Sequence, residues 1–199
     1  GTPPGEDRGA RILSECAQEI RSTVDLPIQA QCEPPKDNHW HFRMKEAGID
    51  SLGMHIEVVN PDLRKKIMPG KSQVPLEKYF ESFNIAVEVF GWGQVSTYIL
   101  AGLGDTAEEI IEVCEKLTSI GVYPFVVPFV PVTGTPLESH SPPSPTFMRS
   151  ILGPLAEMIQ ASGMGADKIK AGCGRCGACS ALSAFERIKK LIPTEPLAC

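Results

Sequence analysis

No apolar run in the 199-residue sequence approaches the length that spans a bilayer. The opening residues, Gly1-Thr2-Pro3-Pro4-Gly5-Glu6-Asp7, lack the basic and then apolar pattern of a secretory signal. The two absences make a soluble cytoplasmic protein the expectation, with no membrane partner. An excess of positive charge is also missing. There are 19 Lys and Arg against 24 Asp and Glu, a net charge of -5, so no nucleic-acid partner is expected. No internal repeat and no long low-complexity stretch occurs, which leaves an ordinary globular balance of 42% hydrophobic and 22% charged residues. Nor do the seven cysteines form the even, spread framework of a disulfide-stapled domain, since four of them lie from Cys173 onward.

What is present is an alternation of strand and helix. Apolar periodicity predicts a helix over 8–22 with Ile12, Leu13, Cys16 and Ile20 on one face, then a short strand over 26–32 stopped by Pro34-Pro35. A helix follows the Lys36-Asp37-Asn38 cap as far as Ala47, and a second strand covers 50–59. A short helix starts at Asn60-Pro61-Asp62 and breaks at Pro69-Gly70, before a long helix over 75–90. Strands are predicted over 94–102, 122–130 and 167–171, with helices over 106–120, 146–162 and 182–191. Such alternation implies parallel strands joined by right-handed crossovers. Five strand–helix units are too few for a closed (β/α)8 barrel, and an α/β partial barrel of parallel strands is the expected fold. Chemistry in such folds sits at the carboxyl ends of the strands.

Side chains along a strand alternate faces. Gln29, Gln31 and Glu33 therefore share one face of the first strand, and Gly53, His55 and Glu57 one face of the second. This points Gln31, Glu33, His55 and Glu57 into the barrel near its rim, where a carboxylate such as Glu57 is a candidate ligand contact. The third strand ends in Gly102-Leu103-Gly104-Asp105-Thr106 and the fourth in Thr133-Gly134-Thr135-Pro136-Leu137. The glycines allow close backbone approach, to a ligand or simply around a tight turn, and Asp105 or Thr106 is placed to cap the next helix.

Cys173-Gly174-Arg175-Cys176-Gly177-Ala178-Cys179 sets three thiols at Cys-x2-Cys-x2-Cys spacing, separated by small residues that let the backbone fold tightly. Such runs ligate iron–sulfur clusters, and a [4Fe-4S] cluster is the favoured occupant. Zinc, with Cys199 as fourth ligand, is the alternative. Cys199 is otherwise a bystander, which would leave one iron open. Cys16 and Cys114 read as core thiols and Cys32 as packed against a helix. His39 and His41 read as surface or packing residues, His140 as an uninformative loop residue, and Trp92 as a cover for the barrel end.

His55-Ile56-Glu57, Pro61, Leu63-Arg64-Lys65-Lys66, Pro69-Gly70, Gly102-Leu103-Gly104-Asp105-Thr106 and Gly134-Thr135-Pro136-Leu137 occur in that order. The series resembles radical S-adenosylmethionine (SAM) enzymes of the biotin synthase, lipoyl synthase and hydrogenase-maturase group, over residues 25 to 140. The resemblance implies an enzyme that generates a 5′-deoxyadenosyl radical and abstracts hydrogen from a small-molecule substrate, with a reductant such as ferredoxin or flavodoxin. It implies that Glu57 meets the SAM ribose hydroxyls, that Gly102, Gly104 and the backbone near Val132 flank the adenine, and that Gln31 and Glu33 face the methionine end or the substrate. Leu76 stands where the group places a basic residue for the SAM carboxylate, and Lys78 is the candidate substitute. The tail cluster becomes an auxiliary [4Fe-4S] cluster, and residues divide into a partial barrel, 1–172, and a cysteine-rich segment, 173–199.

The group's Cys-x3-Cys-x2-Cys loop, which holds the SAM-cleaving cluster, does not occur in the chain. The expectation is that this loop and a second [4Fe-4S] cluster belong to a segment before Gly1, and that the chain alone is inactive. Two rivals stay open: a non-catalytic iron–sulfur or zinc carrier built on a partial barrel, and a zinc-stabilised α/β enzyme without radicals.

Overall fold

In a computed structural model the described residues are 5–191, with side chains described through 188. The elements follow the alternation: α1 (Ala10–Thr23), β1 (Gln29–Gln31), α2 (His39–Glu46), β2 (Ser51–Gly53), α3 (Pro61–Ile67), α4 (Leu76–Phe90), β3 (Val95–Ala101), α5 (Ala107–Ser119), β4 (Val122–Pro128), α6 (Pro145–Ala161), α7 (Cys173–Cys176) and α8 (Leu182–Leu191). Short 3-10 turns lie at Lys71–Gln73 and Ala166–Lys168. The strands form one parallel sheet in the order β1-β2-β3-β4. Parallel neighbours cannot be joined by hairpins, so helices carry each crossover.

Local chemistry starts the helices where it should. Asn60 caps α3 by accepting from the backbone N–H of Asp62 and Leu63, with Pro61 following it. Thr106 and Glu109 form a reciprocal capping box on α5, whose first turn also carries Glu108. Ser144 caps α6 ahead of Pro145. The helices then bury apolar faces on one side of the sheet, where Leu52, Met54, Ile56, Ile99, Phe83, Ala86, Ile110, Cys114 and Leu117 are fully buried. Burial of a side chain of this size stabilises by about 1.5–3 kcal/mol.

Three expectations are corrected. Among the described residues the sheet has four strands rather than five. Residues 167–171 do not join it, because side chains take their backbone groups. Lys170 N–H donates to Gln94 Oε1 (3.0 Å) and Ala171 N–H to Ser51 Oγ (3.4 Å), while Gln94 Nε2 donates to the Lys168 carbonyl (3.0 Å). The second strand ends at Gly53, and Glu57 rejoins the sheet only through an isolated bridge to Ile99. Helix α1 turns a small-residue face inward, Ala10, Ser14 and Ala17, to approach α2 closely. Ile12 and Ile20 are 47% and 45% exposed, and Cys16 is exposed rather than a core thiol. Cys114 is a core thiol, and burial pushes its acidity well below that of an ordinary thiol. Cys32 also packs against the core, its thiol pushed up to about 12 by burial and then by Glu33.

Candidate functional site

The inner face of the sheet carries polar groups in rows set by strand register. Gln31 pairs with Gly53, Gly53 with Ser96 and Ser96 with Tyr123; one step along, Tyr98 pairs with Phe125. Gln29 Nε2 donates to Ser96 Oγ (3.4 Å) and Gln31 Nε2 to Gln29 Oε1 (3.2 Å). The alternation expected for β1 therefore holds, and Gly53 leaves the room that the next residues fill. A Cβ at Gly53 would lie 2.8 Å from His55 Cε1 and 3.2 Å from Gln31 Cγ.

After Gly53 the chain bulges. Glu57 lies four positions after Gly53, whereas their partners Ser96 and Ile99 lie three positions apart. Glu57 absorbs the extra residue with φ 62, a left-handed conformation uncommon outside glycine. It is pinned there by its N–H to the Tyr98 carbonyl (2.8 Å) and its carbonyl from Leu100 N–H (2.8 Å). Arg64 braces the bend from beneath. It is 2% exposed, donates to the carbonyls of Ile56 and Val58, and lies 5.1 Å from the Tyr79 ring centre. The Glu57 carboxylate, half-buried, accepts from Lys71 Nζ at 2.6 Å. His55 Nδ1 accepts from Tyr98 N–H (3.1 Å), which fixes the neutral tautomer with its proton on Nε2. Burial, and then the charge of Lys71, lower its pKa to about 4.

The cysteine segment does not continue from a strand, because the strand expected over 167–171 does not form. It enters beside Ser51 and Gln94, at the amino ends of β2 and β3, and crosses the inner face. Gly172, at φ 96, passes so close to Gln29 that a Cβ would overlap that side chain. Gly174 lies against Ile169 and the Tyr123 ring. Cys173 Sγ then accepts from Gln31 Nε2 at 3.9 Å, with Cys173 and Cys179 both near enough to the Tyr98 hydroxyl to act on its acidity. Burial first, and then those two sulfurs, push the Tyr98 hydroxyl far above its ordinary pKa. Cys176 and Cys179 are exposed and Cys173 half-buried. Arg175 donates to the Asp167 carbonyl. Among the described residues no three His, Cys, Asp or Glu side chains converge tightly enough for a single metal ion. Cys199 lies outside the described residues. The Tyr98 and His55 rings lie 4.7 Å apart, edge to face.

The other predicted residues spread around this face. Glu33 accepts from Arg8 (3.0 Å). Arg8 and Lys78 line a cleft of about 330 Å³ with Pro34, Asn38 and Gln73, and Lys78 pairs with Glu81. At Gly102, φ 106, the close approach comes from Pro143, 2.8 Å from an added Cβ, and at Gly104 from Leu63, 3.1 Å. His140 Nε2 bonds the Gly102 carbonyl at 2.7 Å, so the loop over 139–144 closes on this turn. Val132 is 59% exposed. Trp92 lies over Gly121 and donates to the Ser162 carbonyl, covering the amino end of β4. Lys71 and Tyr98 were not foreseen, and Arg64, part of the Leu63-Arg64-Lys65-Lys66 motif, had been given no role. Tyr98 had a signal in its even spacing from Ser96 along β3.

The comparisons with known proteins bear on this face. No family model matches the chain. Coproporphyrinogen III oxidase from Escherichia coli, a radical SAM enzyme, superposes with a TM-score of 0.58 over 77% of this chain and 37% of its own, at 17% identity. A radical SAM methyltransferase from Kitasatospora setae superposes with a TM-score of 0.50 over 66% of this chain and 26% of its own, at 16% identity. The chain has the fold of radical SAM enzymes. In sequence it is 35% identical, over 137 residues, to the bacteriochlorophyllide c C-7(1)-hydroxylase of Chlorobaculum limnaeum. It is 28% identical, over 103 residues, to an uncharacterized protein of Methanocaldococcus jannaschii. The chain spans 34% and 25% of the lengths of these two relatives. The likenesses bear on the fold, and they do not single out the biotin synthase type. Among the described residues no helix is long and apolar enough to cross a membrane.

Proposed function

We propose that the chain is part of a radical SAM enzyme that generates a 5′-deoxyadenosyl radical, abstracts hydrogen from a small substrate and carries an auxiliary [4Fe-4S] cluster on Cys173, Cys176 and Cys179. The observation that carries this reading is the position of Glu57. It stands on a bulge past the end of β2, in the fold of radical SAM enzymes, and this architecture keeps its chemistry at that end of the strands. The carboxylate there accepts from the SAM ribose hydroxyls in exchange for Lys71. Gly102, Gly104 and Val132 flank the adenine once Pro143 gives way. Gln31 and Glu33 face the methionine end or the substrate, and Lys78 reaches the carboxylate. Assignment to the biotin synthase branch rests on motif order alone.

The donor set fits an iron–sulfur group. Three thiols with small residues between them match the soft ligands iron prefers. One hydrogen-bond donor, the Gln31 amide, reaches Cys173 Sγ at 3.9 Å, and the outer shell of such a site needs donors of this kind. The segment 173–199 is then the auxiliary-cluster segment, with Cys199 the candidate fourth ligand. A second [4Fe-4S] cluster, needed to cleave SAM, and a ferredoxin or flavodoxin reductant complete the reading.

Iron and acid-labile sulfide, measured on anaerobically reconstituted full-length protein, test it. Replacing Cys173, Cys176 and Cys179 by Ala removes one cluster, about four irons per chain. Unchanged iron overturns the ligand assignment, and a colourless protein with stoichiometric zinc overturns the cluster.

A further inference from the structure

Gly102 carries a contact that the proposed chemistry does not use. Its carbonyl bonds His140 Nε2 at 2.7 Å, and because a carbonyl only accepts, the ring nitrogen donates. The His140 ring meets the Phe129 ring edge to face, with 5.3 Å between centres. Pro143 closes over the same glycine, its ring atoms 2.8 to 3.1 Å from where a Cβ would lie. His140 and Pro143 belong to a thinly held arm. Among the described residues, the hydrogen bonds of 139–143 are those of His140 alone: the one to Gly102, and its N–H to the Leu137 carbonyl (3.0 Å). Pro142 and Pro143 have no N–H to give, and none of 139–144 is fully buried. The body of the loop is tied to itself instead. The Val132 carbonyl accepts from Thr135 N–H (3.2 Å) and Oγ1 (2.7 Å), and Gly134 N–H donates to Glu138 (2.8 Å). The arm can therefore lift from Gly102 while Val132 stays at the strand end.

We propose that His140 is a built-in competitor for the purine: its ring stands where the adenine of SAM would lie, and the 139–144 arm must leave before SAM binds. The proposal rests on the reading above that the Gly102 and Gly104 turn flanks the adenine. Both groups are flat nitrogen heterocycles, and both offer an N–H, the imidazole at Nε2 and adenine at its exocyclic amino group. Each can satisfy the Gly102 carbonyl. His140 and Pro143 stand together on the approach to that carbonyl, so arm and purine exclude each other. A protein whose binding-competent state is only part of the population binds its ligand more weakly by that fraction. One hydrogen bond and one proline contact are weak enough for a ligand to displace, and strong enough to lower its affinity severalfold.

Calorimetric titration of SAM into anaerobic full-length protein tests it. His140→Ala should bind SAM about twofold to tenfold more tightly than the wild type, the weight of one net hydrogen bond. His140→Gln keeps a donor and should stay near the wild-type value. Pro143→Ala, which removes the Cγ and Cδ that crowd Gly102, should tighten binding by less. Adenosine, which has the purine and lacks the methionine end, should gain from His140→Ala by the same factor as SAM. Unchanged or weaker SAM binding in His140→Ala overturns the proposal, and weaker binding makes His140 a ligand contact instead of a competitor. A His140→Gln protein as tight as His140→Ala overturns it too, since the donor is then not what holds the arm. A gain for SAM without one for adenosine removes the ring from the purine position. If His140→Ala does not fold, Pro143→Ala carries the measurement, and an unchanged affinity there overturns the proposal. A wild type that does not bind SAM, or binds it equally well after Glu57→Ala, is a different failure, that of the functional reading itself.

Discussion

β3 and β4 pair over seven consecutive residues without interruption, while β1 and β2 pair over three and β2 then bulges before Glu57 touches β3 again. In the long pair, β4 is buried at every residue but the last. The short pair carries Gln29, Gln31, His55 and Glu57. A parallel strand covered on both sides has no use for unpaired polar groups, so the regular half serves as platform and the irregular half aims the chemistry. Breaking each half should give different signatures. Ile99→Ala, at a fully buried position of β3, should cost about 2–5 kcal/mol of stability, read by urea unfolding. The folded fraction should still bind SAM with its original affinity. An affinity loss at folded concentrations would mean that platform and site are not separable.

Acid should act on the other half. Burial lowers the pKa of His41, bonded to Ser82 Oγ at 2.7 Å, to about 4, and His55 is lowered as far, by burial first and then by Lys71. Both rings belong to the β1–β2 side. Between their ordinary value of 6.5 and about 4, the unfolded chain takes up protons that the folded chain refuses. Stability therefore falls as pH drops through that window and is complete in its loss below about 4, by up to roughly 3 kcal/mol per ring. Asp105 opposes this weakly: burial raises its pKa, so it favours the folded state as acid increases. Urea midpoints at pH 7 and pH 4.5 measure the net fall, and His41→Gln should flatten it. An equal slope in that variant would remove His41 from the account.

The same division decides what was legible in the residues. The regular elements were: β3, β4, α5, α6 and α8 fall within two residues of expectation because their apolar periodicity is long and their caps are explicit. The polar face of β1 was legible through alternation. Alternation also misled, since it assumes an unbroken ladder, and one added residue at φ 62 shifts everything past Gly53. The supposed fifth strand failed for a related reason. Gln94 and Ser51 satisfy its backbone with side chains, and nothing in their own neighbourhoods announces a partner some seventy residues or more away. Cys16 was misplaced because α1 packs through Ala10, Ser14 and Ala17, a seam of small residues that apolar periodicity overlooks.

The smallest of the expected effects is also the one closest to the proposed chemistry. Glu57→Ala removes a carboxylate whose present partner is Lys71, and it leaves the backbone bonds to Tyr98 and Leu100 in place. An exposed ion pair contributes little to folding, about 0–1 kcal/mol, and this half-buried one lies not far above that range. The melting temperature should scarcely move. A ribose hydroxyl bonded to a carboxylate contributes about 1.5–3 kcal/mol, so the affinity for SAM, read by calorimetry on anaerobic full-length protein, should fall by about tenfold to a hundredfold. Lys71→Ala should leave that affinity unchanged or raise it, because it frees the same carboxylate without removing it. If Lys71→Ala weakens binding as much as Glu57→Ala does, then the pair acts as a unit and the carboxylate alone is not what SAM meets.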